Sequence, residues 1–145
     1  MIPDGQLAVD ASVAIKWYVP EVGSVEAGRL LERDAPLVAP DLIVAEFGNV
    51  LWKKVRTGEL DAHEAQEIIE AFLLSSPMDL QPASLFLDTA FDIASRWHVT
   101  VYDALYLAVA VAGGCPLVSA DRKLAQRLQG TALQESVLLL ADLEL

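Results

Sequence analysis

The chain has 145 residues, enough to bury a sizeable core but too few for two domains of ordinary size. Hydrophobic residues make up 54% of the chain, which excludes a disordered protein and suggests that some surface is covered by a partner. The net charge of −11, from 10 basic and 21 acidic residues, opposes salt-driven binding to a polyanion and favours a basic protein partner.

Targeting and redox signals are sparse. The longest apolar run, residues 104–115, is about half as long as a membrane-spanning helix must be, so we expect no membrane association. The segment 1–5 lacks the pattern of a secretory signal, which predicts a cytoplasmic protein. Cys115 is the only cysteine, which excludes an internal disulfide and a cysteine-based zinc site.

The first part of the chain alternates strand and helix signals. The apolar run 7–9 predicts a buried strand that ends at Asp10, and a short helix over 13–19 follows it. Ser24 can cap a helix over 25–33, and residues 36–40 then predict a second strand closed by proline.

The middle of the chain has the clearest helix boundaries. Asp41 predicts the N-cap of a helix over 42–56, and Asp61 with Glu64 forms a capping-box pattern for the next helix. Residues 78–81 predict a third strand, and Pro82 occupies a position favoured at the start of a helix.

The last part of the chain predicts a buried helix between strands. Residues 103–113 are apolar on all faces, 117–119 form a strand, Asp121 caps a helix that ends near residue 128, and 137–140 form a final strand. Strands that alternate with helices predict a parallel sheet covered on both faces. We therefore predict one α/β domain over residues 1–145, a three-layer α/β/α sandwich with a central parallel sheet.

Three acidic residues occupy strand ends or helix starts in this scheme: Asp10, Asp103 and Asp121. In open parallel sheets, ligands bind beyond the carboxyl ends of the strands, where the strand order reverses. Asp103 and Asp121, taken singly, are also explained as helix N-caps. Glu46 differs, because it forms a polar stripe with Asn49 and Lys53 on a mostly apolar helix, and this stripe must face a cleft or solvent.

Together these four carboxylates point to a bound cation. Carboxylates that converge at one sheet edge repel one another, and a divalent cation relieves that repulsion. Oxygen ligands without cysteine or paired histidine favour a hard cation such as Mg²⁺ or Mn²⁺ and disfavour zinc. Such a cation activates water and neutralises charge on phosphate, so the pattern predicts metal-assisted phosphodiester hydrolysis.

Four segments of the chain resemble the successive motifs of PIN-domain nucleases, in particular the VapC-type toxins. They are 7–17, 40–46, 101–106 and 118–121, and they occur in the order of the family's motifs. The resemblance covers nearly the whole chain. It implies an α/β/α sandwich, Mg²⁺- or Mn²⁺-dependent endoribonuclease activity, dimerisation, and inhibition by a cognate antitoxin protein.

The resemblance also implies roles for particular residues. The acidic quartet consists of Asp10, Glu46, Asp103 and Asp121. Asp10 and Asp103 hold the metal directly or through water, Asp121 supports a second metal or an outer water, and Glu46 orients or deprotonates the attacking water. Ser12 is the small hydroxyl residue two positions after the first aspartate and helps to position water or an acidic group. Ser119 is a secondary contact.

Basic residues suggest where RNA binds. Lys16 lies about one helical turn from Ser12 and can reach a phosphate, or it is an ordinary surface residue at a helix end. Lys53, with Lys54 and Arg56, forms the densest basic cluster and is a candidate rim for RNA. The alternative explanation is a set of cations that the helix dipole favours at a C-terminus.

Two other functions remain open at this point. A phosphoacceptor receiver domain is also a small acidic α/β protein, but it needs an acidic pair after the first strand, where this chain has Asp10 followed by Ala11. It also needs a lysine after the last strand, where this chain has Ala141 and Asp142. The third hypothesis keeps the PIN fold as a binding module whose acids serve metal-stabilised structure or partner docking.

Overall fold

A five-stranded parallel sheet forms the centre of the protein. The structure is a computed structural model and describes residues 2–143. The strands are β1 (Leu7–Val9), β2 (Leu37–Pro40), β3 (Met78–Gln81), β4 (Leu117–Ser119) and β5 (Val137–Leu139), in the spatial order β3-β2-β1-β4-β5. All four neighbouring pairs are parallel. The predicted α/β class with a central parallel sheet is confirmed.

Helices cover the sheet. They are α1 (Ala11–Ala14), α2 (Ser24–Leu30), α3 (Leu42–Arg56), α4 (Ala62–Ser75), α5 (Leu87–Trp97), α6 (Val101–Ala112) and α7 (Arg122–Leu128), with short 3₁₀ turns at Ile15–Trp17, Ala83–Leu85, Gln134–Ser136 and Leu140–Asp142. Right-handed crossovers place α1 to α4 on one face of the sheet and α5 to α7 on the other. No helix within residues 2–143 combines the length and apolar character that a membrane crossing requires.

The strand order reverses between β1 and β4. From β1 the chain proceeds outward to β2 and β3, and it then crosses back to place β4 on the other side of β1. Asp10 directly follows β1, and Asp121 follows β4 by two residues. Both acids therefore lie at the carboxyl edge of the sheet, beside the point where such sheets bind ligands.

Helix α6 is the most buried helix of the fold. It packs against β1, β2 and β4, and α5 covers its outer side. Every residue of 104–110 is buried, which explains why this stretch is apolar on all faces. The helix begins at Val101, two residues earlier than predicted, because the Thr100 hydroxyl accepts a hydrogen bond from the Asp103 backbone N–H at 3.1 Å. The carboxylate of Asp103 is consequently free of a capping role.

One predicted helix cap is wrong, and another is correct in position but makes no side-chain hydrogen bond to its helix. Asp41 is the N-cap residue of α3, as predicted. The Asp41 carboxylate accepts no hydrogen bond from α3 and instead accepts one from the backbone N–H of Ala83 at 2.9 Å. Gly23 is the N-cap of α2, because the Ser24 hydroxyl accepts from the Glu21 N–H at 2.9 Å. In both cases a partner outside the helix has taken the oxygen.

Other predicted boundaries hold or shift by a few residues. The capping box of Asp61 and Glu64 is present, and the Asp121 side chain caps α7 by accepting from the Lys123 N–H at 2.9 Å. The helix predicted over 13–19 begins instead at Ala11, since Asp10 caps it. The helix predicted from Pro82 begins at Leu87, after a 3₁₀ turn.

Candidate active site

One cavity at the carboxyl edge of the sheet contains all four predicted acids. Its volume is about 240 Å³, and it lies where the starts of α1, α3, α6 and α7 converge. The lining residues are Asp10, Ala11, Ser12, Glu46, Asn49, Val50, Lys53, Asp103, Tyr106 and Asp121. We call this cavity the acidic pocket.

Asp10 is the most firmly held acid of the pocket. One carboxylate oxygen, Oδ1, accepts hydrogen bonds from the Ser12 hydroxyl and from the Val13 N–H at 3.3 Å, and Oδ2 accepts from the Ser119 hydroxyl. Both serine hydroxyls accept in turn from backbone N–H groups that follow β4, those of Ala120 at 2.9 Å and Asp121 at 3.0 Å. The hydroxyl protons are thereby directed at Asp10, and the network joins the ends of β1 and β4.

The two serines differ in what they can reach. Ser12 lines the acidic pocket, as its predicted position near the water requires. Ser119 is 0% exposed and does not line the pocket. In this structure the Ser119 hydroxyl is used within the core to hold Asp10, and its role as a secondary substrate contact stays a prediction.

The carboxylates carry negative charge that the pocket only partly balances. Burial raises the pKa of Asp10 to about 6, although the hydrogen bonds from Ser119, Ser12 and Val13 act to lower it. Burial also raises the pKa of Asp103, and the charges of Asp121 and Glu46 raise it further. These mutual effects show that the four acids act on one another in space, as the sequence predicted.

The polar stripe of α3 faces the pocket. Glu46, Asn49 and Lys53 lie on successive turns and all line the cavity, so the predicted orientation towards a cleft is confirmed. Lys53 is the basic side chain of the lining. It makes no ion pair with any other residue in the described range 2–143, which leaves its charge available to a phosphate.

The other candidate basic residues interact with side chains that do not line the acidic pocket. The Lys16 ammonium pairs with Glu21 Oε1 at 2.9 Å and lines a different cavity, and its contact with a phosphate stays a prediction. Lys54 pairs with Glu21 Oε2 at 2.8 Å and with Glu59 at 3.1 Å. Arg56 lies over the ring of Trp52. Glu21 therefore pairs with both Lys16 and Lys54.

Tyr106 lines the acidic pocket, although no role for it was predicted from the sequence. Its hydroxyl is buried and has no hydrogen-bond partner within residues 2–143. A buried hydroxyl without a partner costs about 1–3 kcal/mol. The spacing could have indicated that Tyr106 lies in the pocket, since it follows Asp103 by three residues and is therefore on the same side of α6.

The chemistry of the donors fits a hydrated hard cation. All candidate ligands are carboxylate oxygens. Burial, and to a smaller extent neighbouring carboxylates, raises the pKa of Asp10 and Asp103, and a bound cation would favour the charged forms of both. Within residues 2–143, no three acids, histidines or cysteines are clustered closely enough to enclose a bare ion. Mg²⁺ commonly keeps several waters and takes only one or two carboxylates, so a cavity of this size with spread carboxylates suits it.

The fold and the pocket together define a PIN domain. The family model described as "PIN domain" matches residues 7–128, a span that includes all four acids of the pocket. The chain belongs to this family.

Among curated relatives, the chain is 37% identical over 123 residues to "Ribonuclease VapC3" of Pyrobaculum aerophilum, covering 84% of this chain and 94% of that protein. It is 34% identical over 97 residues to "Exonuclease VapC9" of the same organism, covering 67% and 71%. A similar solved structure is a member of the VapBC family of toxin–antitoxin systems, VapBC-5 of Mycobacterium tuberculosis, with a TM-score of 0.53, 18% identity and coverage of 94% and 98%.

Replacement of Asp10 by Asn is expected to remove a pH dependence of folding stability. The pKa of Asp10 is about 6 in the folded protein against an ordinary 3.8, so the folded state keeps this proton to higher pH than the unfolded state. Without divalent metal, the free energy of unfolding therefore falls by up to about 3 kcal/mol between about pH 4 and pH 7 because of this group. Urea unfolding in EDTA across that range measures the difference between wild type and Asp10→Asn.

The exposed carboxylate of Asp88, in the first turn of α5, supplies the control. Asp88→Asn should follow the wild-type curve, while Asp10→Asn should lose the part of the fall in stability that the ionisation of Asp10 causes. Parallel curves for wild type and Asp10→Asn would show that Asp10 ionises in the folded protein as freely as in the unfolded chain.

Proposed function

We propose that this protein is a Mg²⁺- or Mn²⁺-dependent endoribonuclease and the toxin of a toxin–antitoxin pair. The observation that carries the proposal is the convergence of Asp10, Glu46, Asp103 and Asp121 in one pocket at the strand-order reversal. Membership of the PIN family and similarity to a protein named as a ribonuclease support it. Action on cellular RNA places the protein in the cytoplasm.

The four acids have different positions and therefore different proposed roles. Asp10 and Asp103 would hold the metal directly or through water, and Asp121 would support a second metal or an outer water. A bound Mg²⁺ or Mn²⁺ supplies Lewis acidity, which activates water and neutralises charge on the phosphate. Ser12 fixes the orientation of Asp10 through its hydroxyl.

Glu46 is the proposed base. It lies on α3, outside the hydrogen-bond network of Asp10, and lines the same cavity. In the reaction, Glu46 accepts a proton from water while the water oxygen bonds to phosphorus. The bond from phosphorus to the 3′ oxygen breaks, and that oxygen takes up a proton. The products are a 5′-phosphate and a 3′-hydroxyl, and Lys53 offers its charge to the phosphate.

The two alternative functions, a receiver domain and a binding module, are not equally supported. PIN-family membership argues against the receiver domain, and Ala11 begins α1 at the position where that class needs a second acid. The binding-module hypothesis keeps the same pocket. It predicts that Mn²⁺ raises the melting temperature without any cleavage of RNA.

Purified protein is expected to cut total cellular RNA with Mn²⁺ and not with EDTA. Sequencing of new 5′ ends, captured through their 5′-phosphates, measures the cleavage and its sequence preference together. Asp10→Asn should lose cleavage, because it removes one ligand charge with little change of shape. Asp88→Asn, outside the pocket, should cut as wild type does.

A circular RNA distinguishes two modes of action that the relatives' names leave open. An endonuclease opens the circle, whereas an exonuclease degrades only linear RNA.

Cleavage by Asp10→Asn at the wild-type rate would refute the proposed site. Absence of cleavage by wild type, with stabilisation by Mn²⁺, would favour the binding module instead.

Lys53→Gln is expected to weaken RNA binding in a salt-dependent way. If the ammonium contacts one phosphate, its loss should reduce the slope of log affinity against log salt by about 0.7. Fluorescence anisotropy with a labelled RNA, in the Asp10→Asn background, measures this without cleavage. Lys54→Gln is the matched control, since Glu21 and Glu59 already neutralise Lys54. Equal slopes for both variants would exclude a phosphate contact at Lys53.

A cognate antitoxin and a second copy of this chain are the proposed protein partners. VapBC-5 of Mycobacterium tuberculosis, whose structure is similar to that of this chain, is a member of the VapBC family of toxin–antitoxin systems. The net charge of −11 favours a basic binding segment on the antitoxin. Large apolar side chains at Leu85, Leu87 and Phe91 are 73%, 53% and 65% exposed around the start of α5. Exposed apolar groups in such proximity are typical of an interface.

Phe91→Lys is expected to shift a dimer towards monomer, because it places a charge within this apolar patch. Sedimentation equilibrium of wild type and variant measures the association constant. Leu74→Lys is the control, since Leu74 is 87% exposed on α4 at the other face of the sheet. A monomeric wild type, or the same association constant for all three proteins, would contradict dimerisation through this patch.

A further inference from the structure

The hydroxyl of Tyr106 is a polar group of the acidic pocket that the proposed mechanism does not use. The side chain is only 2% exposed, and its oxygen has no hydrogen-bond partner among residues 2–143. Buried polar groups of native proteins are almost always paired, so an unpaired one calls for an explanation. A phenylalanine would fill the same space in α6 without this group. The hydroxyl is therefore explained by the pocket rather than by the core.

The surroundings of the hydroxyl place it close to the proposed base. Tyr106 and Asp103 lie three residues apart on α6, and both line the cavity. Burial raises the pKa of Tyr106, and the Glu46 carboxylate and the Asp10 charge raise it further, while the Ala11 N–H opposes them. Tyr106 also shares the lining of the cavity with Glu46 of α3 and with Ala11, the first residue of α1.

Glu46 needs a group that fixes it. Asp10 is held by two serine hydroxyls, and the Asp121 carboxylate accepts from the Lys123 N–H. No hydrogen bond from the described part of the chain holds the Glu46 carboxylate in this structure. A carboxylate that must take a proton from one particular water works best when its orientation is restricted.

We propose that Tyr106 is a positioning residue for Glu46: its hydroxyl donates a hydrogen bond to one carboxylate oxygen and leaves the other oxygen to the attacking water. The contact requires the half-buried Glu46 side chain to rotate towards the hydroxyl. The inference rests on the proposed function, because Glu46 has its role only there.

The test is a double-mutant cycle in cleavage of a fluorescent RNA that spans a mapped cut site. Tyr106→Phe should lower kcat by about 10- to 100-fold, the usual effect of losing a supporting hydrogen bond at such a site. KM should stay at the wild-type value, and the melting temperature should not fall, since the ring and its packing remain. In the Glu46→Gln background, Tyr106→Phe should cause no further loss, because both changes remove the same function.

Tyr18→Phe is the matched control. Tyr18 contacts Phe47 and Phe72 edge-on, outside the acidic pocket, and loss of its hydroxyl should leave kcat unchanged. Wild-type kcat in Tyr106→Phe would overturn the inference and leave the proposed function intact. An equal loss in both backgrounds would also overturn it, since Tyr106 would then act independently of Glu46. If wild type itself cuts no RNA while Asp10→Asn behaves identically, the proposed function fails and the inference fails with it.

Discussion

The hydrogen bonds that hold Asp10 between the ends of β1 and β4 are the interaction on which the site depends. Two serine hydroxyls, from Ser12 and Ser119, donate to its carboxylate and accept from backbone N–H groups after β4. Burial nevertheless raises the pKa of Asp10 to about 6, so the fold keeps a carboxylate where its charge is disfavoured. Such an arrangement is typical of a site built for chemistry rather than for stability, and a bound cation would favour the charged form.

The topology explains why distant acids meet at this carboxylate. Because all strands are parallel, the helices that follow β1, β2 and β4 start at the same edge of the sheet. Helix α6 runs back towards the start of β4, so its first turn, with Asp103, also lies at that edge. The N-terminal end of α6 carries partial positive charge, which favours the carboxylate of Asp103 in its first turn. The acidic pocket is thus a consequence of strand order and helix direction.

Charge placement reconciles an acidic chain with an anionic substrate. The net charge of −11 repels RNA over most of the surface, so local positive charge decides where RNA can bind. Glu21 pairs with both Lys16 and Lys54 and removes them as free cations. Lys53 remains in the lining of the pocket. In the proposed function, this ammonium and a bound metal ion would together concentrate phosphate binding at the acidic pocket.

The sequence by itself determined the strands at 7–9, 78–81 and 117–119, and the acids Asp10 and Asp121 that follow the first and the last of these, because apolar runs and capping patterns are local signals. Tertiary structure alone decided which polar groups pair across the chain. Asp41 bonds to Ala83 instead of its own helix, and the buried Ser119 bonds to Asp10. Tyr106 enters the pocket from a helix that reads as wholly apolar. These outcomes depend on distances between residues far apart in sequence, which no local pattern encodes.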